Sequence, residues 1–328
     1  MQQGILRSSG RSESGPLDQM PGRRPEDLAL HSSSRVLVYL IHGVTGTPME
    51  MRYVAVGLSR QGWNVFCTTL PGHGHALRDL VATRHEDWRD HVRSQLDYAR
   101  TQFDHVFAAG LSGGGLLALE AADSLAIDGI GVLSPTFFYD GWNRPWTSAL
   151  LPFGMKVIPY CLQHLFFHVD GPPYGIKEES LQLQMRAAYN IRAMIREWTS
   201  VWWPRRKKIS DTAGTAASKG NPLIPLRVFT EVDRLAGRVR ECLGRITAPT
   251  VILQAREDDV SSPKNAQLVF DGLRIAEKEI VFLDDCYHVI TVDKRRRDVV
   301  RHLSSFFKRF CPAAKAQDQG LEGTGEHS

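Results

Sequence analysis

The segment HVFAAGLSGGGLLALEAA, residues 105–122, decides the fold of this chain. Its first six residues form a largely apolar run that predicts a buried strand, and the run after the glycines predicts a helix. One serine, Ser112, stands between them among four glycines. Because a glycine inside a helix or strand costs about 0.5–1 kcal/mol relative to alanine, this density of glycine indicates a turn too tight for side chains around one hydroxyl.

The rest of the chain alternates between the same two kinds of element. We predict strands at 35–41, 63–69, 105–110, 129–135, 249–254 and 279–283, and helices near 49–60, 87–103, 116–126 and 294–310. This alternation is typical of an α/β fold with a doubly wound, mostly parallel sheet. It stops between 136 and about 245, where the sequence is helical and aromatic and contains no clear strand. We expect that segment to be an insertion lying over the sheet.

The composition is that of an ordinary globular protein, because 42% of the 328 residues are hydrophobic and 23% are charged. A net charge of +4 is too small to indicate nucleic-acid binding by itself. The five cysteines form no CxxC pair, so the sequence indicates neither a zinc site nor a disulfide framework. No segment resembles a signal peptide or a membrane span, and we expect a cytoplasmic location. Residues 1–33 and 312–328 are expected to be disordered on their composition.

The stretch GLSGG at 110–114 follows a predicted strand and precedes a predicted helix, which is the context of a G-x-S-x-G nucleophile elbow. Such a turn strains the serine backbone and lifts its hydroxyl above the edge of the sheet. The amide of Gly113 opens the helix, where the helix dipole favours negative charge, so it can hold an oxyanion. The alternative is a plain glycine-rich turn or a phosphate loop. The flanking strand and helix favour Ser112 as a nucleophile.

A serine nucleophile needs a base and an acid that orients the base. The strand at 249–254 is followed by AREDDV, and the strand at 279–283 is followed by His288. Both places lie just past the carboxyl ends of strands, where open α/β sheets collect their sites. Asp258 and Asp259 remain alternatives for the acid, whereas Asp284 and Asp285 precede the histidine too closely. The ordinary alternatives are that the aspartate is a solvated loop residue and that His288 is a surface or core histidine.

A tetrahedral intermediate also needs a second hydrogen-bond donor. LIHGVTGTP at 40–48 places a turn directly after a predicted strand, and Gly43 permits that turn to be sharp. The backbone amide of Val44 would be the second donor, and one such donor is worth about 2.7–4 kcal/mol in the transition state. An ordinary strand-to-helix loop is the alternative.

With these pieces in order, the chain resembles the α/β-hydrolase superfamily and, within it, the small bacterial carboxylesterases related to monoacylglycerol lipases. The resemblance is carried by five motifs in family order: LIHGVTGTP, LPGHG, GLSGGG, LQAREDDV and YHVITVD. It implies Ser112 as nucleophile, Asp258 as orienting acid and His288 as base, with the amides of Val44 and Gly113 as oxyanion donors. Asp258 is preferred over Asp259 because the family acid stands two residues before the apolar position that Val260 occupies.

The resemblance also implies an α/β-hydrolase fold with a helical cap inserted after the sixth-strand region. The core would comprise 34–135 and 246–311, and the cap 136–245. Two departures bear on the substrate. Gly113 replaces what is often a larger residue, which predicts a looser elbow and a wider pocket floor, and the cap is longer than the compact version.

These features predict a serine carboxylesterase that hydrolyses short- to medium-chain acyl esters through an acyl-enzyme, with no cofactor and no metal. The alternatives are a monoacylglycerol or lysophospholipid lipase, an acyl thioesterase and, from another class, a non-catalytic ligand-binding protein on a hydrolase scaffold. An aminopeptidase is disfavoured because no acidic pair for a substrate amine is evident. The expected partner is a small-molecule acyl ester and not nucleic acid. Trp202, Trp203, Arg205 and Arg206 would suit weak contact with a membrane surface, but the sequence favours the ordinary alternative, a cap helix followed by a solvated basic loop.

Overall fold

The computed structural model describes residues 15–143, 150–188, 198–199, 201 and 223–311. The strands of the structure are β1 (Leu28–Leu30), β2 (Val36–Ile41), β3 (Asn64–Thr68), β4 (His105–Leu111), β5 (Gly129–Leu133), β6 (Phe167–Val169), β7 (Leu223–Pro225), β8 (Thr250–Ala255) and β9 (Lys278–Leu283). Seven of them form the main sheet, in the order β1-β3-β2-β4-β5-β8-β9. All neighbouring pairs in this sheet run parallel except β1 and β3, so the predicted doubly wound, mostly parallel sheet is confirmed.

Nine α-helices lie wholly within the described residues. They are α1 (Arg52–Ser59), α2 (Leu77–Ala82), α3 (His85–Gln102), α4 (Gly113–Ala122), α5 (Leu151–Val157), α6 (Glu179–Ala188), α7 (Leu226–Cys242), α8 (Lys264–Gly272) and α9 (Arg296–Lys308). Short 3-10 helices lie at Pro16–Gln19, Pro48–Met51, Tyr160–Leu165 and Leu243–Arg245. No helix in this part of the chain has both the length and the apolar character that crossing a membrane requires.

The central strands are buried on both faces, which explains their continuous apolar sequences. In β2 all six residues are buried, and alternate side chains enter two separate hydrophobic clusters. Leu37, Tyr39 and Ile41 pack in the cluster that also contains residues of α3, α4, α7 and α8. Val36, Val38 and Leu40 pack in the cluster that contains residues of α1 and α9. The two helical layers therefore follow from the period-two alternation of a strand.

The prediction of disorder is wrong for residues 15–33, whereas residues 1–14 and 312–328 lie outside the described residues. Leu17 and Met20 are buried in the main core cluster, and β1 pairs antiparallel with β3 at the edge of the sheet. The Asp27 carboxylate accepts a hydrogen bond from the Thr69 amide at 2.6 Å. The sequence did not reveal this segment because its few apolar residues are separated by polar ones and have no period.

The inserted segment lies between β5 and β8, which are neighbouring strands of the main sheet. The expectation that this segment holds no strand is wrong, because β6 and β7 form an antiparallel pair. Each has three residues, too few to give a pattern. The helix α7 packs on α4, and its Leu235 and Val239 belong to the main core cluster, so this end of the segment is part of the helical layer on the sheet.

Candidate active site

The turn at Ser112 has the strained geometry that its sequence predicts. Ser112 has φ 55° and ψ −120°, between the end of β4 and the first residue of α4. A non-glycine residue with positive φ is uncommon and is held only where the surroundings determine it. Here the Ser112 amide donates to the Leu133 carbonyl at 2.7 Å, and the Ser112 carbonyl accepts from the Gly115 amide at 3.0 Å.

The two outer glycines of the motif are required by close contacts between backbones. A Cβ atom at Gly110 would overlap the carbonyl of Gly114, the second residue of α4. A Cβ atom at Gly114 would lie 2.5 Å from the carbonyl oxygens of Ile41 and His42, at the end of β2. Glycine at both positions therefore lets α4 start directly above the ends of β2 and β4, with Ser112 at the apex.

His288 and Asp258 form a buried, hydrogen-bonded pair. The Asp258 carboxylate accepts a hydrogen bond from His288 Nδ1, which lies 3.0 Å from Oδ1 and 2.9 Å from Oδ2. The Asp258 side chain is 0% exposed and that of His288 is 8% exposed, so little water competes for the pair. Because the carboxylate only accepts, Nδ1 carries the proton and Nε2 keeps its lone pair.

Neighbouring groups fix the Asp258 carboxylate in place. Its Oδ1 accepts from the amides of Val260 and Ser261 at 2.9 and 2.7 Å. Its Oδ2 accepts from the Gln254 side-chain amide at 2.8 Å. The Ser261 hydroxyl donates to Oδ2 at 3.4 Å. With these donors and His288 around it, the carboxylate has one orientation in which to meet the imidazole.

Asp259 occupies a different position from its neighbour, although the sequence left the two as alternatives. Its two carboxylate oxygens accept hydrogen bonds from backbone amides, one from His288 at 3.2 Å and the other from Gly175 at 3.0 Å. The imidazole of His288 contacts Asp258 rather than Asp259.

The surroundings of His288 raise its pKa above the ordinary value of a histidine. Burial lowers the pKa of His288, but the charge and hydrogen bond of Asp258 oppose this effect, with further contributions from the charges of Asp259 and Glu50. Together these acids outweigh burial. The arrangement favours a protonated imidazole, which is the state that a general base reaches when it takes a proton.

The Ser112 hydroxyl is hydrogen-bonded to Thr136 Oγ1, at 2.9 Å. Within the described ranges no Ser112–His288 hydrogen bond is present, although both residues line one cavity. Thr136 is buried, and it was missed by the sequence analysis because it lies beyond β5 with no motif around it. The resting hydroxyl of Ser112 thus points to Thr136.

Val44 packs closely against Gly113, the residue after the serine. A Cβ atom at Gly113 would lie 3.7 Å from the Val44 nitrogen and 2.6 Å from Val44 Cγ2. The expectation of a looser elbow and a wider pocket floor at Gly113 is therefore wrong. The Val44 side chain fills the space that a larger residue at position 113 would need.

Two further residues that sequence reasoning missed support the turn that carries Val44. The Gly43 amide donates to the carboxylate of Glu50, and burial raises the pKa of Glu50 to about 7. His42 lies behind the turn, with Nδ1 2.8 Å from the Gly43 carbonyl oxygen and Nε2 accepting from the Leu70 amide at 3.1 Å. Burial lowers the pKa of His42 to about 3, so its imidazole is neutral. Proximity in sequence to the LIHGVTGTP motif was the only available signal for Glu50.

One cavity of about 920 Å³ lies between the sheet edge and the inserted segment, and it is lined by Ser112, Gly113, Val44 and His288. Its apolar lining includes Leu111 of β4, Val169, Ile176, Leu181 and Met185 of the insertion, and Val228, Phe229 and Val232 of α7. Asp170 also lines it, and burial, followed by the charge of Asp259, raises the pKa of Asp170 to about 6. Asp170 was missed because only the fold brings it near Asp259.

One cluster elsewhere has the donor types of a cation site. His85, Glu86 and Glu231 present ligand atoms within 4.8 Å of one another. Glu231 is already engaged by the Tyr160 hydroxyl at 2.6 Å and the Arg234 guanidinium at 2.8 Å. The guanidinium opposes a second cation, so this cluster is an ion-pair network. The candidate residues for contact with a membrane surface, Trp202, Trp203, Arg205 and Arg206, lie outside the described residues.

Comparison with known proteins gives consistent matches over most of the chain. The family model Hydrolase_4, described as "Serine aminopeptidase, S33", matches residues 32–295. A thermostable monoacylglycerol lipase from Bacillus sp. (strain H-257) is 26% identical over 273 residues, which cover 83% of this chain and 90% of the lipase. A carboxylesterase from Bacillus subtilis (strain 168) is 23% identical over 273 residues, or 83% of this chain and 92% of the esterase. A solved structure of a metagenome-derived lipolytic enzyme shares the fold with a TM-score of 0.66 at 24% identity, covering 87% of this chain and 97% of that one.

Proposed function

The chain belongs to the Hydrolase_4 family, serine aminopeptidases of the S33 group with an α/β-hydrolase fold, and we propose that it is a serine carboxylesterase that cleaves acyl esters through a Ser112–His288–Asp258 triad. The proposal is supported most by one observation. His288, which is hydrogen-bonded to the buried Asp258, lines the same cavity as the strained Ser112 and the neighbouring residues Val44 and Gly113.

In the first half of the reaction, the Ser112 hydroxyl leaves Thr136, turns to Nε2 of His288 and attacks the ester carbonyl. His288 takes the hydroxyl proton, and the carbonyl oxygen becomes an oxyanion that accepts hydrogen bonds from the Val44 and Gly113 amides. His288 then gives the proton to the leaving alcohol. Asp258 keeps Nδ1 protonated and stabilises the imidazolium.

In the second half, water replaces the alcohol and attacks the acyl-enzyme. His288 takes a proton from the water, the same two amides hold the second oxyanion, and the proton returns to Ser112 as the acid leaves. Because His288 must be neutral to accept a proton, its raised pKa predicts that kcat/KM falls on the acidic side at a pH above the ordinary histidine value.

Fluorophosphonate labelling and p-nitrophenyl ester hydrolysis test this proposal. We expect one covalent adduct on Ser112 and ester turnover, with both lost in Ser112→Ala. The matched control is Ser124→Ala, which removes a hydroxyl at the end of α4, away from the cavity. A protein that is neither labelled nor active would be a binding protein on a hydrolase scaffold. Labelling at another residue would exclude the Ser112 mechanism.

The apolar cavity supports an acyl chain as the substrate group that it holds. Its volume of about 920 Å³ is at the upper end of ordinary small-ligand sites. A chain-length series of p-nitrophenyl esters, compared with monoacylglycerols, lysophospholipids and acyl thioesters, tests this assignment. We expect the highest kcat/KM with short to medium acyl esters. Preference for a monoacylglycerol or a lysophospholipid would favour the lipase alternative, and preference for the thioester a thioesterase.

A specific observation supports a second candidate, an enzyme for substrates with a free amine. The sequence showed no acidic pair, but the structure brings Asp259 close enough to Asp170 for its charge to add to the effect of burial in raising the pKa of Asp170. Both oxygens of Asp259 already accept backbone amides, which leaves Asp170 to meet an ammonium group. Aminoacyl p-nitroanilides separate the candidates, because an aminopeptidase would cleave them and lose that activity in Asp170→Asn.

A further inference from the structure

The loop that carries His288 lies directly against the inserted segment. Asp293, five residues after His288, is fully buried and ends the YHVITVD motif, in which the proposed mechanism uses only the histidine. Its carboxylate accepts hydrogen bonds from four backbone amides at 2.8–3.0 Å. Two of these amides, Tyr287 and Lys294, belong to the histidine loop. The other two, Lys177 and Glu178, belong to the inserted segment.

Asp259 forms a second bridge of the same kind, and the amide that it holds in the histidine loop belongs to the residue after Tyr287. One oxygen accepts the amide of His288 itself at 3.2 Å, and the other accepts the amide of Gly175 in the inserted segment at 3.0 Å. The amides of two consecutive residues, 287 and 288, are therefore each held by a carboxylate that also holds the inserted segment.

A backbone hydrogen bond also joins the histidine loop directly to the inserted segment. The Val289 amide donates to the Gly175 carbonyl at 2.7 Å. Gly175 has φ 71°, and a Cβ atom there would lie 2.7 Å from Val289 Cγ2. The two chain segments thus pack backbone to backbone, without a side chain between them.

We propose that Asp259 and Asp293 are positioning residues that anchor residues 175–178 of the inserted segment and the loop of His288 to each other, so that the placement of the imidazole depends on the insertion. Neither carboxylate touches the reacting atoms. The coupling itself is independent of the reaction, and only its effect on turnover rests on the proposed function.

The chemistry of the carboxylate explains why aspartate is needed at both positions. An ionised carboxylate only accepts hydrogen bonds, and both of its oxygens here face N–H donors. In an asparagine of the same shape, the side-chain NH2 group would face one set of those donors. Each Asp→Asn substitution therefore breaks one side of its bridge while it preserves the volume of the side chain.

Hydrogen exchange measured on the whole protein tests the coupling without reference to activity. In Asp293→Asn we expect the amides of 175–178 and of 287–290 to exchange together, each about tenfold faster than in the wild type. If Asp293→Asn folds poorly, Asp259→Asn serves as the milder variant, because Asp259 accepts hydrogen bonds from only two backbone amides. Asp284→Asn is the matched control, because Asp284 is on the same loop but is 76% exposed. If only one of the two segments changed in both variants, the proposal would be overturned.

Kinetics give a second readout, which separates the two aspartates. We expect either substitution to lower kcat on the order of 10–100-fold with a smaller effect on KM, because the base loses its position. Asp259 also raises the pKa of His288 by its charge. Asp259→Asn should therefore move the acidic limb of the pH profile to lower pH, a shift that loosened packing would not produce. An inactive wild type with coupled exchange would exclude the proposed function alone, whereas an active enzyme with uncoupled exchange would exclude the positioning role.

Discussion

At the scale of single residues, Val44 and Gly113 depend on each other. Gly113 leaves room for Val44 Cγ2, and the two residues supply the proposed oxyanion amides. In Gly113→Ala, a methyl group would start 2.6 Å from Val44 Cγ2 and push the two amides apart. We expect kcat to fall on the order of 10²-fold, the effect of one lost oxyanion donor. Ester kinetics on purified variants would measure the loss.

The control for this prediction is a second substitution that restores the space. Val44→Ala keeps the backbone amide and removes the clashing atom, so the double variant should recover most of the activity, and Val44→Ala alone should stay near the wild type. If the double variant were no better than Gly113→Ala, the contact with Val44 would not be the cause of the loss.

Glu50 gives a prediction about pH and stability. Burial raises the pKa of Glu50 to about 7, so the folded protein binds this proton more tightly than the unfolded chain. The resulting stabilisation is fully present below the ordinary glutamate value and is lost as pH rises through about 7. Glu50→Gln keeps an oxygen for the Gly43 amide and has no such proton. Urea unfolding at pH 5 and pH 8 should show that the variant gains stability relative to the wild type at the higher pH.

The charge of Glu50 can be separated from its hydrogen bond by another variant. Glu50→Leu removes the acceptor and leaves the Gly43 amide without it. This variant should be less stable than Glu50→Gln at both pH values. Equal stability of the two variants would contradict the role of the hydrogen bond.

At the scale of secondary-structure elements, the N-terminal segment is part of the folded core. Leu17 is fully buried in the main cluster, against the side of the sheet that also holds α3. Leu17→Ala should lower the free energy of unfolding by about 2–5 kcal/mol, as expected for a buried leucine. Chemical denaturation would measure this loss, with the exposed Glu26→Ala as the control. An unaltered midpoint in Leu17→Ala would mean that this segment does not pack in solution.

The elements also show how much of the fold could be predicted. Strands such as β2 and β4 have six or more residues, mostly buried, and their apolar runs were sufficient to predict them. The three-residue strands β1, β6 and β7 have too few residues for a pattern, and they exist because a partner strand supplies hydrogen bonds. Their positions depend on tertiary structure, which a local window of sequence does not contain.

The same distinction applies to the candidate site. Ser112 and His288 could be predicted because each follows a recognisable strand, but the choice of Asp258 over Asp259 depended on the resemblance. The contact with Asp258 fits that choice. The fold alone brings Thr136 to Ser112 and places Glu50 and Asp170 at the cavity, so no local motif identified them.

At the scale of the whole molecule, Glu231 joins three parts of the structure. Glu231 lies on α7. Its carboxylate accepts a hydrogen bond from the backbone amide of His85 in α3 at 3.0 Å and another from the Tyr160 hydroxyl of the inserted segment at 2.6 Å. Burial raises the pKa of Glu231, but the hydrogen bonds of His85 and Tyr160 and the charge of Arg234 lower it to about 2. The stabilisation from Glu231 is therefore present above the ordinary glutamate value and is lost as pH falls toward 2.

Glu231→Gln tests this connection. At pH 7 the variant should unfold at lower denaturant concentration than the wild type, because the amide replaces a charged acceptor among buried donors. The difference between the two proteins should shrink as pH falls from about 4.5 toward 2. Asp271→Asn, on the exposed side of α8, is the control. A stability difference that did not vary with pH would show that shape, and not charge, is what Glu231 contributes.

The two aspartate bridges also limit how the insertion can be exchanged between relatives. A chimaera that received a foreign segment would retain Asp259 and Asp293, whose oxygens need amides in the places of residues 175, 177 and 178. A graft with one residue more or fewer there would leave buried carboxylates facing carbonyls, even if its lipophilic surface suited the new substrate. Transplanting substrate preference in this scaffold therefore requires matching the backbone spacing of that short stretch before any side chain is chosen.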